Sequence, residues 1–191
     1  MDYFRRIKML YINCCPRTNS RTHRLAQAVL SVLGDYEEIN VYEEDIRPLN
    51  EERLMQRNQL LADKKYDADM FGYARQFASA DVIVIAAPFW DLSFPAQLKI
   101  YLENIYVTGI VSRYSESGQP EGLCRAKRLY YVTTAGGPYD GRYSFEYLKT
   151  LATDYFGIPE VELVKAEMLD IVGNDPEKIL SESIAKFKKR G

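Results

Sequence analysis

The chain has 191 residues and a formal net charge of −2, from 25 Lys and Arg against 27 Asp and Glu. Hydrophobic residues make up 47% and charged residues 27%, which excludes a disordered chain and predicts one globular domain over residues 1–191. The balanced charge argues against a nucleic-acid binder with a basic stripe, and no apolar run reaches the roughly 20 residues that a membrane span needs.

Strand-like and helix-like segments alternate along the chain. Strands are predicted at residues 7–13, 37–42, 82–86, 128–133 and 161–170. Helices are predicted at 22–33, 51–78, 95–106, 144–156 and 176–188, the second of them long enough to be broken near 66–68. This alternation predicts an α/β fold made of βαβ units, with a parallel sheet and helices on both faces.

The third strand segment, 82–86, is uniformly apolar, as expected of a central strand covered on both faces. Five strands, of which the third is apolar and central, favour a doubly wound, flavodoxin-like sheet of order 2-1-3-4-5. In that order a ligand crevice opens at the carboxyl ends of strands 1 and 3. Residues 108–123 form one long non-helical insert, of a length that is usually functional or mobile.

The loop after the first strand reads CCPRTNSRT (residues 14–22) and runs into a helix. A helix N-terminus presents free N–H groups and a partial positive charge, so hydroxyls, an amide and guanidinium groups around it predict a phosphate site. The candidate residues are Arg17, Asn19, Ser20, Arg21 and Thr22. An ordinary Ser or Thr helix cap with solvated arginines fits the same loop about as well.

Two further loops fall on the same edge. After the third strand, APFWDLSFP (87–95) holds the only Trp, although Phe89 and Trp90 could simply pack under the next helix. After the fourth strand, TTAGGPY (133–139) holds paired glycines, which allow close backbone approach to a ligand but more often form plain turns. The three loops together predict a phosphate-bearing planar cofactor across this edge.

No nucleophile, acid–base or metal-ligating constellation is visible in the sequence. His23, the only histidine, is interpreted as a surface or phosphate-proximal residue. Cys14, Cys15 and Cys124 are odd in number with two adjacent, which does not indicate a disulfide framework. Residues 1–8 lack a signal-peptide pattern, so we expect a reduced, cytoplasmic protein without a membrane span.

The sequence resembles the flavodoxin-like-fold NAD(P)H dehydrogenase (quinone) family, and most closely the FMN-dependent NADH-azoreductases. The matching stretches lie within residues 81–170 and read VIVIAAPFWDLSFPAQLKIYLENI, GIVSRYSESGQPEGLCRAKRLYYVTTAGGPY and DYFGIPEVELVKAEMLD. The resemblance implies a homodimer with one FMN per subunit near the dimer interface. It also implies ping-pong hydride transfer from NADH or NADPH to FMN, followed by two-electron reduction of a quinone or azo compound.

The resemblance also implies roles for individual residues. The phosphate ligands would be Ser20, Arg21 and Thr22, helped by Arg17 and Asn19. The loop at the isoalloxazine edge would be Pro88, Phe89, Trp90, Asp91 and Leu92. The loop at the other side of the ring would be Thr134, Ala135, Gly136 and Gly137. Tyr114, from the insert, and Tyr139 would line a pocket for flat substrates.

Three positions depart from the azoreductase pattern. Asp91 stands where the family usually has Asn, Cys14 and Cys15 where it often has Ser, and Ala135 where some members have Arg. A carboxylate beside a flavin disfavours the anionic reduced form unless only the backbone of Asp91 faces the ring. The alternative function is a non-enzymatic, flavodoxin-type electron carrier, but such carriers are usually strongly acidic and a charge of −2 favours the enzyme.

Overall fold

A five-stranded parallel sheet forms the centre of the molecule in the computed structural model, which describes residues 7–189. The strands are β1 (Met9–Asn13), β2 (Glu37–Asn40), β3 (Val82–Ala86), β4 (Ser112–Tyr114), β5 (Pro120–Gly122), β6 (Arg128–Thr134) and β7 (Glu160–Ala166). The large sheet has the order β2-β1-β3-β6-β7, and β4 and β5 form a separate two-stranded sheet. The predicted order 2-1-3-4-5 is confirmed, because β6 and β7 are the fourth and fifth strands of the large sheet.

Helices cover both faces of this sheet. They are α1 (Arg21–Leu33), α2 (Glu51–Ala62), α3 (Gly72–Ser79), α4 (Ala96–Ile105), α5 (Phe145–Thr150) and α6 (Pro176–Lys188). Side chains alternate between the two faces of a strand, so each strand feeds two cores. On β1, Tyr11 packs with α1 and α6, whereas Leu10 and Ile12 pack with α3, α4 and α5.

The predicted long helix at 51–78 is broken between residues 63 and 71. Helix α2 ends at Ala62, and Lys64 then takes a left-handed φ of 57°, which a continuing helix cannot contain. A short 3₁₀ turn, Asp69–Phe71, leads into α3. None of the side chains of α2 is buried, so this helix lies on the surface of the fold.

The last predicted strand is shorter than expected and ends at Ala166 instead of residue 170. Met168 has a φ of 66°, which turns the chain away from the sheet after β7. The amides of residues 168–170 then bond to carbonyls of residues 135–137, next to the end of β6. This turn brings Asp170 to the carboxyl edge of the sheet.

The insert at 108–123 forms the antiparallel hairpin β4–β5. A Cβ added at Gly122 would lie 2.1 Å from the backbone nitrogen of Gly157, so the hairpin packs directly on that backbone. In the part of the chain that the structure describes, no helix is long and apolar enough to cross a membrane. The signal-peptide prediction falls mostly on residues 1–6, outside the described residues.

Candidate functional site

A pocket of about 380 Å³ opens at the carboxyl edge of the sheet, where the strand order reverses between β1 and β3. Such reversal points are where open α/β sheets bind ligands, and the volume falls within the roughly 300–1,000 Å³ of small-molecule sites. The lining residues are Pro16, Arg17, Asn19, Ser20, Arg21, Thr22, Pro88, Phe89, Trp90, Thr134, Ala135, Gly136, Leu169 and Asp170.

The three predicted loops therefore do meet in one place. Of the predicted cofactor-binding residues, only Asp91, Leu92 and Gly137 are absent from the lining. Pro16, Leu169 and Asp170 line the pocket but were not predicted as site residues. Leu169 and Asp170 follow the fifth strand of the sheet, and the carboxyl ends of parallel strands lie on one edge. The sequence could therefore have predicted them from the loop after that strand.

The N-terminus of α1 forms one end of the pocket. Ser20 is the N-cap, and its side-chain oxygen accepts a hydrogen bond from the His23 amide at 3.3 Å. The amides of Arg21 and Thr22 donate to no backbone carbonyl within residues 7–189. Ser20 thus serves as an ordinary cap, and two amides remain available for an anion in the pocket.

Thr22 connects this end of the pocket to the end of β6. Its side chain is buried, and its Oγ1 lies 2.6 Å from Oγ1 of Thr134. Because one hydroxyl donates to the other, the Thr22 side chain links the start of α1 to the end of β6, while its amide donates to no backbone carbonyl among the described residues. The role of Thr22 as a phosphate ligand stays a prediction, and in this geometry it would involve the backbone amide.

Arg21, the neighbour of Thr22 in the chain, forms an ion pair with another residue of the pocket lining, Asp170. Arg21 Nη1 lies 2.7 Å from Oδ1 of Asp170, and the two side chains are 38% and 68% exposed. Arg17 lines the same pocket and is exposed. In the described part of the chain, the Arg17 guanidinium has no carboxylate partner.

The aromatic loop after β3 ends in a tight turn. The amides of Trp90 and Ser93 donate to each other's carbonyls at 2.9 and 2.8 Å. Between them, Asp91 and Leu92 have φ values of 48° and 68°, as a type I′ hairpin turn requires. Residues other than Gly, Asn and Asp seldom adopt this backbone conformation, so the strain of the turn lies at Leu92, two residues after Trp90.

The aromatic side chains of this loop lie on the rim of the pocket. Trp90 is 41% exposed, and Phe89 packs edge-on against Tyr139 with ring centroids 4.8 Å apart. The alternative in which Trp90 simply packs under the next helix does not describe its position. Tyr139 is held by a 2.9 Å hydrogen bond between its hydroxyl and Oγ of Ser144, and it does not line the pocket.

Asp170 accounts for one of the two glycines that follow β6, Gly136. A Cβ added at Gly136 would lie 2.4 Å from Asp170 Oδ2, whereas one added at Gly137 would meet no atom within 4 Å. The Asp170 amide also donates to the Gly136 carbonyl at 2.8 Å. Asp170 is therefore the group that approaches Gly136 closely. The loop that contains Gly136 and Gly137 is hydrogen-bonded to the segment after β7.

Two ionisable groups in and next to the loop at residues 14–22, the Cys15 thiol and the Tyr11 hydroxyl, stay uncharged at neutral pH. Burial raises the pKa of the Cys15 thiol to about 11, although a hydrogen bond with Ser20 opposes the shift. Burial also raises the pKa of Tyr11, whose hydroxyl shares a 3.0 Å hydrogen bond with Nδ1 of His23. Neither group places a negative charge beside a bound anion, and His23 is positioned by Tyr11 outside the pocket lining.

Tyr114, the other predicted substrate-pocket residue, lies on the β4–β5 hairpin and is 55% exposed. It does not line the pocket. Burial, and to a smaller extent the neighbouring Tyr114, raises the pKa of Tyr106. Its role in a substrate pocket stays a prediction that would require a wall formed between subunits.

Comparison with known proteins agrees with the architecture. A family model described as "Flavodoxin-like fold" matches residues 7–190. A Clostridium acetobutylicum protein named FMN-dependent NADH:quinone oxidoreductase 2 is 37% identical and covers 96% of this chain and 97% of its own length. A Coprothermobacter proteolyticus protein named FMN-dependent NADH:quinone oxidoreductase is 34% identical, with 95% and 96% covered.

Solved structures show the same fold. A Bacillus anthracis FMN-dependent NADH-azoreductase, solved in complex with FMN, superposes with a TM-score of 0.81 at 24% identity, covering 96% of this chain and 97% of that one. An azoreductase from another strain of the same species gives 0.81 at 21% identity, with 96% and 98% covered. From the family match and the full-length relatives together, this chain belongs to the flavodoxin-like fold family.

Proposed function

We propose that this chain, as a single domain over residues 1–191, is an FMN-dependent oxidoreductase that uses NADH or NADPH to reduce quinones or azo compounds. The observation that carries the proposal is the carboxyl-edge pocket, which unites a free helix N-terminus, an aromatic rim and a glycine wall. The names of the full-length relatives, FMN-dependent NADH:quinone oxidoreductases, support the same cofactor and the same class of substrate.

The residues present fit FMN at its phosphate end. The amides of Arg21 and Thr22 supply donors, and the N-terminus of α1 supplies a favourable dipole for an anion. Arg17 adds a positive charge without a carboxylate partner among the described residues. The thiol of Cys15, kept protonated by burial, adds no opposing charge.

The rest of the pocket suits a planar ring with polar edges. Phe89 and Trp90 offer aromatic surface. In the neighbouring loop, Gly136 also lines the pocket, and its amide donates to no backbone carbonyl within residues 7–189. Asp91 does not line the pocket, which supports the interpretation that its carboxylate is directed away from a bound flavin. Asp in place of the usual Asn would then have little effect on the electrostatics at the ring, and both residue types tolerate the left-handed φ of this turn.

When bound, FMN would supply the hydride and two-electron chemistry between the nicotinamide and the acceptor. The chain's residues bind the phosphate, orient the ring and shape the face that substrates approach. Because the cofactor would carry the redox chemistry, the reaction needs no side chain that acts as an acid, a base or a nucleophile.

We further propose a homodimer in a reducing, cytoplasmic compartment. The pocket is open on one side, and Trp90 in its lining and Leu92 on the same loop are exposed, so a second subunit would complete its cover. Cys14, Cys15 and Cys124 are free thiols, which supports the reducing compartment. Light scattering of the purified protein tests the dimer: a mass of two chains supports it and a monomeric mass contradicts it.

Steady-state assays test the activity itself. FMN-loaded protein, with apoprotein as the matched control, is mixed with NADH or NADPH and with menadione or an azo dye. We expect rapid nucleotide oxidation only when both FMN and an acceptor are present. FMN binding without nucleotide oxidation would contradict the enzyme and favour the electron carrier.

A further inference from the structure

Tyr139 does not line the pocket, yet three different contacts hold it in place. Its amide donates a 2.7 Å hydrogen bond to Oε2 of Glu167, and its hydroxyl shares a 2.9 Å hydrogen bond with the buried Ser144. The Lys165 ammonium lies 5.2 Å from the centroid of its ring, within the range of a cation–π contact, and also forms a 2.6 Å ion pair with Glu167. Tyr139 is therefore anchored both to the end of β7 and to the start of α5.

The ring of Tyr139 packs against one residue of the pocket lining, Phe89. The two rings meet edge-on, with centroids 4.8 Å apart and planes inclined at 64°. Among the described residues, Tyr139 is the only aromatic residue whose ring packs against that of Phe89. The Tyr139 ring is thus the aromatic support of the Phe89 side chain, and it lies outside the pocket.

The segment that contains Tyr139 also holds the other end of the aromatic loop. Ser93 Oγ donates a 2.7 Å hydrogen bond to the carbonyl of Tyr143. Phe89 precedes the tight turn of this loop and Ser93 closes it, so the same segment contacts the loop on both sides of the turn. A turn with a φ of 68° at Leu92 persists only where the surrounding structure holds it.

We propose that Tyr139 is a positioning residue for the flavin ring: it holds Phe89, and with it the loop that carries Trp90, where they form the aromatic side of the pocket. The proposal rests on the proposed FMN function. It gives Tyr139 an indirect role, in place of the direct contact with substrate that the family resemblance implies.

The expected effect of losing this support follows from the contact itself. Without the Tyr139 ring, Phe89 gains rotamer freedom that a bound flavin must remove again, and this ordering weakens binding. An edge-on aromatic pair is worth about a two- to tenfold change in an equilibrium constant. Because FMN and riboflavin carry the same ring, both should be weakened by the same factor.

A double-mutant cycle tests whether Tyr139 acts through Phe89. The apoproteins are titrated with FMN and with riboflavin, and flavin fluorescence gives the dissociation constants. The variants are Tyr139→Leu, Tyr139→Phe, Phe89→Leu and Tyr139→Leu combined with Phe89→Leu. Tyr147→Leu is the matched control, because the Tyr147 ring also packs against an aromatic residue of this loop, Phe94, but neither lines the pocket.

We expect Tyr139→Leu to raise both dissociation constants about two- to tenfold and by the same factor. Tyr139→Phe keeps the ring and should stay within about twofold of the parent, as should Tyr147→Leu. In the Phe89→Leu background, Tyr139→Leu should have no further effect. The visible circular dichroism of bound FMN, which reports the surroundings of the ring, should change in Tyr139→Leu and return to the parent spectrum in Tyr139→Phe.

Far-ultraviolet circular dichroism checks that each variant is folded. If Tyr139→Leu does not fold, Glu167→Ala replaces it in the same cycle, because it removes the acceptor of the Tyr139 amide and leaves the ring intact. The expected directions are the same.

Four results would overturn the proposal. They are unchanged dissociation constants in Tyr139→Leu, a loss confined to FMN, a loss in Tyr139→Phe as large as that in Tyr139→Leu, and a full further loss in the Phe89→Leu background. A parent protein that binds neither flavin would instead refute the FMN function, and this inference with it.

Discussion

Replacing Gly136 with alanine tests how the glycine wall is built. The new Cβ would lie 2.4 Å from Oδ2, 3.1 Å from Cγ and 3.3 Å from Cβ of Asp170. The φ of Gly136 is not in the left-handed region, so the backbone itself accepts alanine and the strain comes from Asp170 alone. Gly137→Ala is the matched control, because its Cβ would meet nothing within 4 Å.

The magnitude follows from the two ways in which the clash can relax. If Asp170 swings out, the exposed Arg21–Asp170 ion pair is lost, at a cost of up to about 1 kcal/mol. If the wall moves instead, overpacking costs roughly 1–3 kcal/mol. Because the cheaper route sets the cost, we expect Gly136→Ala to lower the free energy of unfolding by up to about 1 kcal/mol, whereas Gly137→Ala leaves it unchanged or raises it by about 0.4–1 kcal/mol.

Urea unfolding followed by circular dichroism measures both variants. Each is also made together with Asp170→Ala, which removes Oδ2 and Cγ but keeps the Cβ. The cost of Gly136→Ala should shrink in that background towards that of Gly137→Ala. Equal stability of the two single variants, or a cost that Asp170→Ala does not reduce, would refute the reasoning.

Three further predictions concern residues around the pocket. Thr22→Val leaves the buried Thr134 hydroxyl unpaired and should cost about 1–3 kcal/mol in urea unfolding, while Thr22→Val with Thr134→Val should lie closer to the parent; a double variant that costs the sum would contradict this. Burial raises the Cys15 pKa from 9.0 to about 11, so the folded chain keeps a proton that the unfolded chain loses. Its contribution is fully present below about pH 9 and is lost as pH rises towards 11, worth roughly 3 kcal/mol, and Cys15→Ala should flatten that fall; parallel curves would count against it. Leu92→Gly relieves a φ of 68° at an exposed position and should raise the unfolding free energy by about 1 kcal/mol; a lower melting temperature would show that the side chain matters more than the strain.

The sheet and the location of the pocket follow from local patterns. A uniformly apolar segment such as VIVIA at 82–86 marks a central strand, and the βαβ alternation then fixes the order and places three polar or aromatic loops on one edge. The pocket is located by this topology alone. For that reason most of the predicted cofactor residues line it.

The pairings within the pocket do not follow from local patterns. Thr22 and Thr134 are 112 residues apart, and Arg21 and Asp170 are 149 apart, so only the folded chain brings them together. The apolar, β-rich composition of residues 161–170 predicts a last strand that ends at Asp170. The left-handed turn at Met168 and the backbone bonds to residues 135–137 are tertiary effects that override this pattern.

An anaerobic titration tests the central claim most directly. Purified apoprotein is loaded with FMN, freed of excess flavin, and titrated with NADH while the visible flavin absorbance is followed. The account predicts that FMN remains bound, that about one equivalent of NADH bleaches it, since one hydride carries both electrons, and that a quinone then restores the colour. A protein that takes up no FMN, or bound FMN that NADH does not bleach, would contradict it.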